Sequence, residues 1–458
     1  QYIDPTGTIV AFDHAARSTV GCMAWMALWW LCEPVPLPVT SLVPILIFPL
    51  LGSATIEAAA TPYADPLLFL FLGGFILALA IEKWGLHRRF AYSLIVASGG
   101  GPRQLVFGIM LATAFISLWL SNTATAVLML PVALSIARLE TSGPQLGKCL
   151  MIGVAYSATI GGMGTLIGTP PNLFVASFLR THYRVELDFG SWLAIGLPMV
   201  AVLLPLTWWL LVRVRFPLAS TQELIIPATE DYSLAWSRLS APARLTLMVF
   251  AFAAAAWITR GYLITLDFGG WRPLQALTDP GIAIAATLIL FAVPLRGANR
   301  VALDWQDTQR LPWGTLLLFG GGLSLAAAIT ANGVDSAIGA ALAGAPTLPK
   351  PLVLAGIAAA VIFVSEVASN IATVAAMTPV LAAAAPALGL TAIEASIVTA
   401  LAASSAFMMP VGTAPNALAY GSGLISTKDM AITGVVLNLV SIGLIALVVL
   451  IVVPRLWN

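Results

Sequence analysis

Ser121 and Asn122 open the stretch SNTATAVLMLP, and Ser369 and Asn370 open SNIATVAAMTP 248 residues later. Both pairs lie inside apolar runs that would otherwise read as continuous helix. A helix that breaks within hydrocarbon leaves unpaired N–H and C=O groups at its new ends. Short polar side chains satisfy some of them. The half-helix after the break also presents free N–H groups and the positive end of its dipole, which suits an anion. The unwound carbonyls and side-chain oxygens just before it suit a hard cation such as Na⁺. Pro131 and Pro379, nine residues past each Asn, are expected to bend the exit half-helices.

A second pair of interruptions follows. GGMGTLIGTPPN at 161–172 corresponds to SSAFMMPVGTAPN at 404–416. Proline inside a helix removes a hydrogen bond and clashes with the preceding turn. Glycine beside it permits dihedrals other residues avoid. These stretches therefore predict discontinuous helices at Gly168–Asn172 and Gly412–Asn416, whose exposed carbonyls complete a cation site begun by the Ser-Asn tips. A nucleotide-binding loop does not fit GGMGTLIG, because no βαβ unit surrounds it.

These residues must be held by a membrane protein. Of 458 residues, 59% are hydrophobic and only 9% charged, where a soluble domain carries about 25% charged residues. The alternating pattern of an outer-membrane barrel is absent. Ten segments approach the ~20 residues that cross a bilayer: 18–33, 36–52, 65–82, 149–170, 191–213, 246–265, 279–295, 312–331, 394–420 and 430–453. Two longer regions, 104–138 and 350–386, are each split by their Ser-Asn and are expected to form re-entrant hairpins. The fold class is thus an all-α polytopic membrane protein.

The two halves repeat. FLFLGGFILALA at Phe69 matches LLLFGGGLSLAA at Leu316, and the tip and break motifs follow in the same order. Lys and Arg collect on one side of the chain's loops, fourteen against five, so that side is assigned to the cytoplasm. The matched segments then run in opposite directions, and the C-terminus lies outside. Ten crossings put Ser18 outside too, unless a helix precedes Gln1. An inverted repeat is a recurrent plan of secondary transporters, with the site at the repeat interface. The stretch 214–245 is expected to be a cytoplasmic linker between halves.

Neither hairpin core nor either broken helix carries Lys or Arg, so an anion there lacks a side-chain counter-ion. Burying an unpaired charge costs several kcal/mol, roughly. A helix N-terminus returns about 0.5–2 kcal/mol. Co-bound cations close the gap, which couples an anion to Na⁺. Glu366, four residues before Asn370, is expected to be a buried carboxylate accepting hydrogen bonds from a neighbouring half-helix. Glu33 marks a tight turn, and Glu82 with Lys83 ends a helix; neither is given a transport role.

Other classes fit poorly. Cys22, Cys32 and Cys149, and His14, His87 and His182, lie far apart, with no disulfide or metal spacing. No basic run suggests nucleic acid. No nucleophile–base pair or phosphate clamp in the spans suggests an enzyme. A channel needs a continuous pore, whereas hairpins meeting from both sides suit alternating access.

Taken together, WWLCEPVPLPVTSLVPILIFPLLG at Trp29, FLFLGGFILALAIEKWGLHRR at Phe69, both Ser-Asn hairpins and both Gly-Thr-x-Pro-Asn breaks resemble the divalent anion:sodium symporter family, which includes solute carrier family 13. The resemblance spans nearly the whole chain. It implies a homodimer in a bacterial-type plasma membrane, working as an elevator with a static scaffold and a moving transport domain. It implies sodium-coupled uptake of di- or tricarboxylates, with a C4-dicarboxylate such as succinate foremost. Sulfate or citrate transport, or sodium-independent exchange, belongs to the same fold. By the same resemblance, scaffold parts cover 1–103 and 246–349, and transport parts cover 104–213 and 350–458. The transport parts hold hairpins 104–138 and 350–386 and broken helices 149–179 and 394–424. One sodium would use Ser117, Ser121, Asn122 and Gly168, and a second Ser365, Ala368, Asn370 and Gly412. Asn122, Thr123, Thr169, Ser369, Asn370 and Thr413 would touch the substrate. Ser117 and Ser365 each precede the tip Ser by four residues, one helical turn, which places them on the tip's face. Two departures stand out: Ile371 where the family often has Thr, and Ala414 where it often has Pro.

Overall fold

The computed structural model describes residues 2–3, 9–138, 143–218, 239–295, 301–342 and 348–457. Apart from a two-residue ladder pairing Tyr2–Ile3 with Ile9–Val10, the described residues are helices and their connections. Five helices are long and apolar enough to cross a membrane: Ile56–Lys83, Phe189–Arg215, Ala241–Leu263, Trp313–Ala331 and Thr427–Trp457. They coincide with five of the ten expected crossings.

The other five expected crossings are not among these long helices. The segment 36–52 folds as two short helices, Leu37–Thr40 and Val43–Leu50, because prolines at 36, 38, 44 and 49 punctuate it. Asp279–Ala292 has 14 residues, about 21 Å of rise against a hydrocarbon core of about 30 Å. The segments 149–170 and 394–420 are interrupted, as their Gly-Thr-x-Pro-Asn motifs require. His14–Cys32 has 19 residues but is less apolar than the five. Its turn at Glu33 is left-handed, with φ 45°. Most of the expected linker, 219–238, lies outside the described residues. Its flanks are helical, since the helix from Phe189 continues as a wide turn to Arg215 and the next begins at Ala241.

Both Ser-Asn regions fold as pairs of short helices around a four-residue break. Pro102–Ser117 and Asn122–Ala137 make the first pair, Lys350–Ser365 and Asn370–Ala384 the second. Pro131 and Pro379 lie inside the exit helices, which carry on through them.

The innermost helices follow each pair. In Pro144–Gly162 nearly every residue is buried, as in Pro170–Tyr183 up to Leu179 and in Ala392–Ala403 from Glu394 on. Small residues let these helices approach closely. A Cβ on Gly161 would stand 2.7 Å from Ala114 Cα, so only glycine fits there. Ion pairs join segments distant in sequence: Arg180–Asp65 and Lys350–Glu394 at 2.6 Å, and Lys148–Asp429 at 2.9 Å.

Candidate anion and sodium site

Each tip begins where its first helix stops. At Ser117 the chain leaves the helix, turns through Leu118–Ser121, and starts again at Asn122. Ser121 caps the new helix, its hydroxyl accepting from Ala124 N at 3.3 Å. Ser117 Oγ donates to Ala158 O at 2.6 Å and lies 3.0 Å from Asn122 Oδ1. The second tip repeats this. Ser365 Oγ lies 2.7 Å from Ala403 O and 3.0 Å from Asn370 Oδ1. The Oδ1 position of Asn370 also lies 3.2 Å from both Ala403 O and Gly412 O. Three oxygens therefore surround that position. An amide nitrogen turned into it donates to all three.

The first break supplies the matching oxygens. A Cβ on Gly168 would stand 2.6 Å from Gly162 O and 3.0 Å from Ser117 O. Gly168, Gly162 and Ser117 thus crowd one small volume. A Cβ on Gly162 would collide with Asn122 Oδ1. Among the described residues no group of three His, Cys, Asp or Glu side chains could hold a metal ion. The donors here are carbonyls, hydroxyls and amides, the hard neutral oxygens a monovalent cation accepts.

Both tips and both breaks line one cavity of about 870 Å³. Ser121, Asn122, Thr123 and Thr169 reach it from the first half. Ala368, Ser369, Asn370, Gly412 and Thr413 reach it from the second. Ser117, Gly168 and Ser365 are not on its wall; Ser117 and Ser365 are buried behind the Asn side chains. Ile371 and Ala414 are on the wall, so both departures from the family pattern face the cavity.

The hydroxyls divide in a crossed manner. Ser121 is engaged as a cap while Thr169 makes no cap bond. In the second half Ser369 makes none, while Thr413 accepts from Asn416 N at 3.2 Å.

Several residues that matter were not singled out by the sequence. Asn172, the last residue of the first break motif, is buried and donates to Thr165 O at 2.7 Å and Gly162 O at 3.0 Å. Asn416 donates to Met409 O at 3.1 Å. Their role is to satisfy carbonyls the break exposes. Thr165 Oγ1 donates to Leu118 O at 2.5 Å and accepts from Gly168 N at 3.0 Å, stitching break to tip. Glu366 is the buried acceptor the sequence suggests. Its carboxylate takes the N–H groups of Met408 and Met409 at 2.8 Å and Asn438 Nδ2 at 2.7 Å. The hairpin cores and broken helices carry no Lys or Arg, but a basic residue reaches the cavity from outside them. Arg310, at the end of the short helix Trp305–Arg310, lines the cavity, as do Glu33 and Glu82.

The family described as citrate transporter (CitMHS) matches residues 27–404. The chain belongs to the citrate transporter family. It is 37% identical over 447 residues to the sodium-dependent dicarboxylate transporter SdcS of Staphylococcus aureus (strain USA300), covering 94% of this chain and 84% of that protein. The resemblance to divalent anion:sodium symporters is borne out by these matches. Two solved transporters share the fold. The crystal structure of Alcanivorax borkumensis YdaH aligns with TM-score 0.62 at 15% identity, covering 94% of this chain and 97% of that one. Neisseria gonorrhoeae MtrF, from a class of antimetabolite efflux pumps, aligns with TM-score 0.61 at 13% identity, covering 95% of each. At such identities the likeness concerns fold alone. Family and apolar helices together make this a multi-pass membrane protein.

Proposed function

We propose that this protein is a secondary carrier that couples Na⁺ to the uptake of a C4-dicarboxylate such as succinate. The observation that carries this is the single cavity fed by both Ser-Asn tips and both Gly-Thr-x-Pro-Asn breaks, with an oxygen cluster behind each Asn. The relative SdcS, named as a sodium-dependent dicarboxylate transporter, supports the same substrates.

In this reading Ser117, Ser121, Asn122 and Gly168 ligate one sodium, and Ser365, Ala368, Asn370 and Gly412 a second. The substrate carboxylates take Asn122, Thr123 and Thr169 on one side and Ser369, Asn370 and Thr413 on the other. The ions offset the dianion's charge in a wall whose tips hold neutral groups. The short helix pairs act as re-entrant hairpins. With the broken helices they form a transport domain (104–213 and 350–458) that slides as an elevator against a scaffold (1–103 and 246–349). The protein works as a homodimer in a bacterial-type plasma membrane, with its C-terminus outside.

The test is uptake into proteoliposomes, with and without a sodium gradient and internal dicarboxylate. Uptake driven by the gradient into empty vesicles is expected. Uptake that ignores Na⁺ and requires internal anion would make the protein an exchanger instead.

A further inference from the structure

Three charged residues line the cavity, all from outside the tips and breaks: Glu33, Glu82 and Arg310. Glu33 lies in the left-handed turn after His14–Cys32, and Glu82 in the last turn of Pro66–Lys83. Arg310 ends the short helix Trp305–Arg310, and its neighbours Leu311 and Pro312 line the cavity with it. It is exposed, and among the described residues it makes no ion pair or hydrogen bond.

An unpaired surface arginine is ordinarily a solvated, wandering charge. Here the backbone beneath it is pinned. Asp304 and Asp307 close a reciprocal cap around the short helix. Asp307 Oδ2 also takes Lys83 Nζ at 2.6 Å, which ties this turn to the residue after Glu82. Trp84 Nε1 donates to Ala302 O at 2.9 Å, and Trp313 Nε1 to Thr308 O at 3.0 Å. The Lys83 and Trp84 contacts hold the turn against the end of the helix that carries Glu82.

We propose that Arg310 is a specificity-determining residue of this cavity, attracting the anionic substrate and offsetting the field of Glu33 and Glu82. The inference rests on the functional reading above, in that the substrate is a carboxylate dianion. Arg310 is the one basic side chain on the wall among the described residues. Without it the wall would oppose a dianion with two carboxylates. The interaction acts largely through water, so it is screened over a Debye length of about 8 Å at physiological salt. That separates it from a packing role, which salt does not erase.

The experiment is equilibrium binding of succinate to the purified full chain, at fixed Na⁺ and at two ionic strengths set with choline chloride. In R310Q the dissociation constant is expected to rise about threefold or more at the lower ionic strength, and the difference from wild type to shrink at the higher. R310K should recover most of the loss. E82Q should lower the constant, and it reads the same field should R310Q fail to fold. An R310Q constant equal to wild type at low ionic strength overturns the proposal. So does a rise that salt leaves unchanged and lysine does not recover, or an E82Q variant that binds no more tightly. Wild-type protein that binds no succinate in Na⁺ overturns the functional reading itself, and this inference with it.

Discussion

In the first half the opened backbone is closed by neutral donors. Asn172 Nδ2 reaches Thr165 O, Gly162 O and, at 3.4 Å, Met163 O, and Trp192 Nε1 adds a bond to Met163 O at 2.9 Å. In the second half Asn416 reaches only Met409 O and, at 3.4 Å, Ala406 O. There Glu366 collects two backbone N–H groups and the Asn438 amide. The residue matching Glu366 one repeat earlier is Leu118. The first break therefore presents carbonyls in need of donors, and the second presents N–H groups as well. A repeated fold does not oblige its copies to repeat their electrostatics. A fixed carboxylate stands behind one tip, and leucine behind the other.

The comparison can be broken at several depths. Asn122→Ala and Asn370→Ala should each abolish sodium-driven uptake while the protein still purifies intact, because both tips depend on their Asn. Normal uptake in both variants would remove the site assignment. Glu366→Gln should follow in size. It sets an amide donor against N–H groups and should cost about 1–3 kcal/mol of stability, read as a lower melting temperature with reduced uptake. Leu118→Gln, at the matching place, tests whether the acid's requirement is confined to one half; that variant should leave Met408 and Met409 paired and cost less.

Gly168→Ala against Gly412→Ala sharpens the contrast further. A Cβ at Gly168 would press on Gly162 O at 2.6 Å, while at Gly412 the nearest atom is Glu366 Oε2 at 3.2 Å. Overpacking by about 1–3 kcal/mol should weaken sodium activation roughly tenfold or more in the first variant and much less in the second. Equal loss in both would mean that the two halves are equally tight. The smallest effect belongs to Ile371→Thr, which restores a hydroxyl on the cavity wall. It should reorder an anion competition series without halting uptake, and an unchanged series would show that the side chain does not meet the substrate.

The tips and breaks were legible because Ser, Asn, Gly and Pro are conspicuous in apolar sequence, and each has a local physical effect. Glu366 was legible for the same reason, being the one acid in either core. The helix lengths were not, because hydropathy registers apolar length and does not see where prolines at 36–49 divide a helix. Arg310, Glu33 and Glu82 looked like loop and helix-end residues, and locally they are. Their place on the cavity wall depends on packing between segments more than 200 residues apart, such as the Lys83–Asp307 bridge. Asn172 was visible in its motif, but its bonds to carbonyls seven to ten residues back depend on how far the break unwinds.

The four-residue tips also constrain how the chain is assembled. A half-helix ending within hydrocarbon cannot rest there alone, since its terminal groups have no solvent to turn to. Ser117 finds Ala158 O, and Ser365 finds Ala403 O, only after 41 and 38 further residues have been made. Glu366 waits longer, because Asn438 lies 72 residues on. Each pair of short helices therefore completes these bonds only with helices that follow it in the chain.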